Sequence, residues 1–374
     1  MLQRTSDKVV GNILDGMQTH LRNILSLHFH PEHGSPYWLR RQTELGIDVA
    51  SEVKEVDDLW KLGLMDDESL RGLSVEEFVP RALLKEKQTF VLGDSAGSTG
   101  APKLTAYSEE EFSGAFIEPF SRAANAMRFP REENWLYIGP SGPHIIGKAA
   151  RACANRLKSM DPFSVDFDAR WAKKMKSGSM GSRRYLEHVI EQALGILDSQ
   201  DVGVLFTTPS VLAALSEGMT KSQRLKIRGV HYGGVALTHE RYDAFRQDMF
   251  PNAVHISGYG NTLFGMCPEL FPVEPRPIDY YPHGNRLVIR LIPLCEGAIP
   301  DERVLQTRVA YGERGRIMFH RLDSSGLIVN MCERDSAERI PPPERVEHLG
   351  FVQDGFRCPE PLPVMRNRLK TGLY

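Results

Sequence analysis

The sequence predicts an α/β protein, with parallel or mixed sheets flanked by helices and a β-rich subdomain after them. Three observations predict it. Helical and strand patterns alternate between residues 186 and 256, which is the signature of a parallel sheet joined by right-handed crossovers. A Gly- and Ser-rich loop, DSAGSTGAPK at 94–103, directly follows the apolar run Thr89–Leu92. After residue 285 the pattern changes to short apolar runs separated by turn residues.

The elements follow in order. Val10, Ile13, Leu14, Met17, Leu21, Ile24 and Leu25 recur at helical spacing and predict a helix over 8–27. Thr89–Leu92 predicts a short strand entering the loop, and Ser108 followed by Glu109, Glu110 and Glu111 starts a helix with a capping box. Leu186, Val189, Ile190, Ala193, Leu194 and Leu197 line one helical face. A buried strand over 202–206 comes next, and Thr208 with Pro209 opens another helix, Pro being suited to its first position. Further strands are expected up to HYGG at 231–234 and at 254–256, with Thr238 capping the helix between them. The late strands are expected at 287–292, 316–319 and 327–329, and Pro341, Pro342 and Pro343 mark a break. The expected division is therefore an α/β core over 1–284, a β-rich subdomain over 285–340 and a tail over 341–374.

Composition narrows the function classes. With 374 residues, 41% hydrophobic and 25% charged, the chain has material for a large core. A net charge of −2 gives no general attraction to nucleic acid or an anionic membrane surface. No apolar run nears the roughly 18 residues of a membrane helix, and MLQRTSDKVVGNILDG has no signal-peptide core. Cys153, Cys267, Cys295, Cys332 and Cys358 are odd in number and never spaced CxxC, as in reduced cytoplasmic proteins. The expected location is the cytoplasm.

The loop at 94–103 carries the most chemistry. Gly97 and Gly100 let the backbone curl so that amide N–H groups face an anion. Ser95, Ser98 and Thr99 add hydroxyl donors, and Lys103 adds a positive charge for phosphate oxygens. Pro102 occupies the place where a Walker A loop needs glycine, so that motif is excluded. A plain surface turn is the competing reading on composition alone.

The order SAGSTGAPK resembles the nucleotide-phosphate loop of the adenylate-forming superfamily, which contains acyl-CoA synthetases, nonribosomal adenylation domains and luciferases. Companion segments resemble it in order. PSGPHIIG at 140–147 is similar to the segment that sets a His or aromatic beside the acyl pocket, implying His144. FTTPSVLAAL at 206–215 resembles a strand–turn–helix of architectural role. YGGVALTHE at 232–240 resembles a segment whose backbone lines the adenine and acyl pockets, implying Gly233 and Gly234. GYGNTL at 258–263 resembles YGxTE; the resemblance implies Tyr259 stacking on adenine, Thr262 at the α-phosphate, and Gly258 and Gly260 at the acyl pocket. In GRIMFHRLDSSGLIVNMCERD, Asp335 falls on the aspartate that binds ribose hydroxyls in relatives, although its neighbours depart from that motif.

The resemblance implies ATP and Mg2+ as cofactors and a small carboxylic acid as substrate, activated as an acyl-adenylate with Lys103 and Thr262 as catalytic residues. One departure bears on magnesium: Leu263 stands where relatives carry the glutamate that helps hold it, leaving Glu269 or water as substitute. The early position of the loop resembles the phenylacetate-CoA ligase branch, which points to an aromatic acid and a possible homodimer. The hinge and lid domain of relatives are not legible after Asp335, so only the adenylating half-reaction is expected. Truncated proteins of griseoluteic-acid-type phenazine pathways resemble this layout, implying a phenazine carboxylate and hand-over to a reductase or other acyl acceptor. Bioluminescence acyl-protein synthetases resemble it too, which makes Cys358 a candidate acyl acceptor on a tail segment. A degenerate relative that binds acid or nucleotide without turnover is the competing class.

Other clusters read as structural. His28, His30 and His33 have metal-ligating side chains but no second cluster, so a loop is the simpler reading. The basic run Lys173, Lys174, Lys176, Arg183 and Arg184 lacks the interleaved aromatics of a nucleic-acid surface. Lys370 lies in the C-terminal tail and reads as solvated.

Overall fold

The computed structural model describes residues 16–95, 102–176, 178–234, 237–271, 278–295 and 300–363. In chain order the strands are Val91–Asp94 (β1), Leu104–Tyr107 (β2), Trp135–Ile138 (β3), Phe163–Val165 (β4), Val204–Thr207 (β5), Gly229–Gly233 (β6) and Val254–Asn261 (β7). They continue as Gly265–Pro268 (β8), Asp279–Tyr280 (β9), Leu287–Ile292 (β10), Arg314–Asp323 (β11), Gly326–Ile340 (β12) and Gly355–Pro361 (β13). The helices used below are Pro36–Leu45 (α1), Ile145–Arg156 (α2), Ala169–Lys174 (α3), Met180–Ser199 (α4) and Pro209–Gly218 (α5). No helix among the described residues is long and apolar enough to cross a membrane.

The residues gather into two compact units. One takes the described residues up to Leu92, then Lys103–Ala115, then those from Tyr281 on; the other takes Gly93–Pro102 and Phe116–Tyr280. The expected boundaries at 284/285 and 340/341 are linear, whereas the first unit is drawn from three separated stretches of chain.

The second unit is built on a six-stranded sheet in the order β4-β3-β5-β6-β7-β8. The first five strands are parallel and β8 returns antiparallel on β7. Every residue of β3 and β5 is buried, as expected where helices cover both faces of a parallel sheet. His231 shows how a polar residue is accommodated there. Its ring lies 4.6 Å from Phe120 and 4.3 Å from Phe206, and its Nδ1 hydrogen-bonds the carbonyl of Ile256 at 2.8 Å. Burial holds its pKa down to about 4, so it stays neutral. Thr208 caps α5 by accepting from Val211 N, with Pro209 at the first position, as the sequence predicts.

The first unit contains the antiparallel strands β10-β11-β12-β13. Its N-terminal helix, described over 16–28, buries Leu21, Ile24 and Leu25, the face expected from their spacing. Its last residue, His28, and Trp38 beyond it secure this end of the chain to β11 and β12. His28 Nε2 bonds the Asp323 carbonyl at 2.8 Å, and Trp38 Nε1 donates to the Leu327 carbonyl at 3.0 Å. Arg321 is fully buried, stacked 3.6 Å above the Tyr107 ring centroid. It donates to Asp323 Oδ2, Thr105 Oγ1 and the Ala106 carbonyl, each at 2.6 Å. Arg286 completes this buried network with two bonds to the Asp323 carboxylate. A buried charge of this kind is sustained only when it is paired and hydrogen-bonded throughout.

Strand ends differ from the sequence expectation. The strand expected at 89–92 runs over Val91–Asp94, and that expected at 327–329 extends to Ile340. Polar Asn330, Glu333, Asp335 and Glu338 interrupt the apolar pattern of β12, yet ladder pairing with β11 and β13 carries the strand through them. β13 likewise takes 355–361, expected as tail, into the sheet.

Candidate functional site

In an open parallel sheet, ligand-binding residues collect outside the carboxyl ends of the strands. Several sequence-marked residues of the second unit lie at those ends. His144 follows β3, Gly233 ends β6 with Gly234 next, and Gly258, Tyr259, Gly260 and Thr262 end or follow β7, whereas Glu269 follows the antiparallel β8.

The start of the Gly/Ser loop is tied to two of these ends. Asp94 N donates to the Pro143 carbonyl at 3.2 Å, and Asp94 forms a parallel bridge with His144. From the other side Thr262 Oγ1 donates to the Asp94 carbonyl at 3.1 Å. Gly93 is needed for this meeting, since a Cβ there would lie 2.9 Å from Ile145 Cβ and 3.1 Å from Thr262 Cγ2. The structure thus brings together Asp94, His144 and Thr262, with half-buried Ser95 next in the chain. Gly97, Ser98, Thr99 and Gly100 lie outside the described residues, as does Lys370.

The carboxylate of Asp94 is an element that the sequence reading missed. Its side chain is 7% exposed. Oδ2 accepts from Arg170 Nη2 on α3, while Oδ1 sits 3.4 Å from His144 Nδ1 and has no hydrogen-bond partner. Asp168 caps α3, accepting from Arg170 N at 2.8 Å and Trp171 N at 3.0 Å, and so fixes where Arg170 starts. A carboxylate beside a phosphate loop would repel anions, and Arg170 neutralises it. The only sequence signal was the DARWAKK run, noted for its lysines.

Backbone packing gives two of the glycines a physical reason. A Cβ on Gly233 would lie 2.7 Å from the Gly258 carbonyl, and one on Gly260 would lie 2.1 Å from the Gly265 carbonyl. Close strand-to-strand approach therefore excludes side chains at both positions. The half-buried Tyr259 ring stacks on Phe264 at 6.3 Å and lies 5.9 Å from Tyr280.

The magnesium substitutes do not fit. Leu263 is 3% exposed, an apolar core side chain. Glu269 is 1% exposed, with Oε1 accepting from Tyr242 OH and Oε2 from Ser257 N at 2.9 Å. Burial pushes its carboxyl up to about 7, against the opposing pull of those two bonds. With both oxygens engaged inside the unit, Glu269 is a structural residue, and its expected role as a metal ligand is corrected. No group of three His, Cys, Asp or Glu among the described residues is arranged to hold a metal ion. His28 is buried between Ser35 and Asp323, and the His30 and His33 rings stack on each other.

Three expected residues lie in the first unit. Lys103 forms an ion pair and hydrogen bond with Asp67, whose carboxylate also meets Arg71 at 2.8 Å. Burial raises the Asp67 carboxyl, but Lys103 and Arg71 outweigh it and hold it below the usual range. Asp335 is half-buried on β12, opposite Pro361. Cys358, expected on a tail, sits within β13 at φ 48, its carbonyl accepting from Arg314 Nη2 at 3.2 Å. Sheet pairing, which a Cys–Pro pair does not announce, holds it there.

No protein-family model matches the sequence, and no curated protein matches it. Solved structures do match the fold. 2-Hydroxyisobutyryl-CoA ligase, solved with 2-HIB-AMP and CoA in the thioesterification state, aligns with TM-score 0.66 at 14% identity, over 93% of this chain and 67% of that one. The same ligase in its postadenylation state with R3-HIB-AMP gives TM-score 0.63 at 13% identity, over 92% and 66%. This chain therefore has the mixed α/β fold seen in these ligases and spans about two thirds of their length.

Proposed function

We propose that this chain uses ATP to activate a carboxylic acid as an acyl-adenylate. The observation that carries the reading is the tether of Thr262 to Asp94, which joins the end of β7 to the start of the Gly/Ser loop beside His144. A fold shared with a ligase solved with 2-HIB-AMP supports it. In the reaction a carboxylate oxygen attacks the α-phosphorus of ATP, and the bond from that phosphorus to the bridging oxygen breaks. Pyrophosphate leaves with the electron pair, and the acid is left joined to AMP. The chain's task is to place the two reactants and to offset charge developing on phosphate oxygens.

In this reading Gly97, Ser98, Thr99 and Gly100 cradle phosphate, and Tyr259 offers an aromatic face to adenine. Asp335 is assigned to the ribose hydroxyls, and His144 with Gly258 and Gly260 to the acid. Lys103 serves phosphate oxygens by exchanging its Asp67 partner. Thr262 has one hydroxyl proton, which it gives to Asp94, so it meets phosphate only by re-aiming that bond. Magnesium is implied by the resemblance, but Leu263 and Glu269 do not fit a metal ligand at that position, and no step is assigned to it. We assign the acid to the aromatic class, phenazine carboxylates included, and its destination to a reductase or acyl acceptor protein in the cytoplasm. The strand placement of Cys358 disfavours self-acylation.

Carboxylate-dependent ATP–pyrophosphate exchange with a panel of aryl and phenazine acids tests the proposal. Exchange with one acid, lost in Lys103→Ala, is the expected result. A second reading, a protein that holds the acid or nucleotide without turnover, is favoured by buried Leu263 and engaged Glu269. Calorimetric binding of an acid or AMP, with no exchange for any acid, would establish it instead.

A further inference from the structure

Asp57, Arg290 and Arg308 meet within the first unit. Arg290 is on β10, opposite Met318 of β11, with its side chain 2% exposed. Arg308 precedes β11 and is 34% exposed, while Asp57, in the 3-10 turn Val56–Leu62, is 58% exposed. Both guanidinium groups converge on one oxygen, Asp57 Oδ1: Arg290 Nη2 at 3.2 Å and Arg308 Nη2 in a closer contact. One carboxylate thus answers two cations. Arg339, whose charge also acts on Arg290, is already paired with Asp354 at 2.6 Å.

The buried end of this cluster holds unspent hydrogen-bonding capacity. Arg290 Nε and Nη1 have no hydrogen-bond partner. Burial first, then the Arg308 charge, holds the Arg290 pKa down to about 10. His320 lies on the same sheet face, opposite Val288. Burial, with Arg290 and Arg308 nearby, keeps its pKa well below the ordinary value, so the ring is neutral. Its Nδ1 accepts from Asn330 N at 3.1 Å, which places the ring proton on Nε2. That Nε2 is a buried donor without a partner, and Asn330 Oδ1 is a buried acceptor without one.

We infer that Arg290 and Arg308 form a binding site for a phosphate group, which the Asp57 carboxylate fills as an internal stand-in. Two arginines converging on one oxygen form the kind of cradle that suits phosphate. Phosphate brings more charge and more acceptor oxygens than a carboxylate, enough to use the donors Asp57 leaves unmet. Asp57 is more than half exposed, so its carboxylate can turn to water without burying a charge.

The test is chemical rescue in the full chain. Asp57→Ala lowers the melting temperature in chloride buffer, and inorganic phosphate at matched ionic strength restores most of the loss. Wild type responds less to phosphate, because Asp57 competes, and Asp57→Ala/Arg308→Gln loses the phosphate-specific response. AMP run in parallel on Asp57→Ala and on Asp57→Ala/Arg308→Gln distinguishes sources: rescue by phosphate assigns the free ion, and rescue at lower AMP concentration that the double variant loses assigns a phosphate carried on a larger molecule, since AMP bound at the proposed nucleotide site stabilises both variants alike. If Asp57→Ala does not fold, Asp57→Asn preserves the shape of the turn, and 31P line broadening of phosphate by wild type against Arg308→Gln gives an independent readout. Equal effects of phosphate and chloride on the Asp57 variant, with any AMP effect kept in Asp57→Ala/Arg308→Gln, or equal line broadening by wild type and Arg308→Gln, overturn the site and leave a structural ion pair.

Discussion

Thr262 Oγ1 donates to the backbone carbonyl of Asp94 at 3.1 Å, across 168 residues of sequence. That bond ties the carboxyl end of β7 to the entry of the Gly/Ser loop, so the loop starts from a fixed point. Replacing Thr262 by Val removes the donor and leaves the shape. A single hydrogen bond of this kind contributes about 1 kcal/mol to stability, so the variant should fold with a small drop in denaturation midpoint. Its ATP–pyrophosphate exchange should fall by more than that bond accounts for, on the order of a hundredfold. An exchange rate within twofold of wild type would remove Thr262 from the proposed machinery.

Arg170 and Asp94 should be coupled. Arg170→Ala leaves a buried carboxylate without its cation, a change that costs about 3–5 kcal/mol for a fully buried pair. Arg170 is 42% exposed, so solvent screening reduces this to roughly 1–3 kcal/mol. Asp94→Asn added to Arg170→Ala should recover most of the loss. Urea unfolding of both single variants and the double variant measures the coupling, and simple additivity would show the pair to be indifferent.

Glu269 should give stability a pH dependence of defined sign. Its folded pKa, raised by burial to about 7, stands above its ordinary value of 4.5. Between those values the folded state holds a proton that the unfolded state has released. Stability is therefore fully favoured below about pH 4.5, declines as pH rises to about 7 and levels off above it. The shift corresponds to about 3 kcal/mol. Glu269→Gln should flatten this stretch of the profile, as measured by denaturation midpoints between pH 5 and 8. A profile unchanged by the substitution would assign the slope to other groups.

Asp67 should compete with phosphate for Lys103. Asp67→Asn leaves Lys103 without that carboxylate, so the KM for ATP should fall, by roughly up to fivefold given an Asp67 side chain 38% exposed to screening solvent. A higher KM would mean that Asp67 is required to position Lys103.

Gly260→Ala should fail for a reason visible only in three dimensions. Its Cβ would lie 2.1 Å from the Gly265 carbonyl, and backbone atoms cannot yield as a side-chain tip can. A loss of about 1–3 kcal/mol, typical of overpacking, is expected by urea unfolding. Gly195→Ala, with nothing within 4 Å of the added Cβ, should cost nothing or stabilise its helix.

The sequence by itself determined the alternation that makes the parallel sheet, the capped starts of α5 and of the helix at Glu109, and the strands that became β6 and the start of β7. These are local properties: apolar period, cap chemistry and the order of neighbouring residues. The packing of Gly233 against the carbonyl of Gly258 is not written in the segment around it. Only tertiary structure decided that Arg170 answers Asp94, that Lys103 is held by Asp67, that Glu269 turns inward to Tyr242 and Ser257, and that Cys358 is part of a strand. Each of these depends on groups far apart in sequence. The energy of a charge depends on its burial and on which opposite charge or donor lies within a few ångströms, and neither is written in the residues beside it.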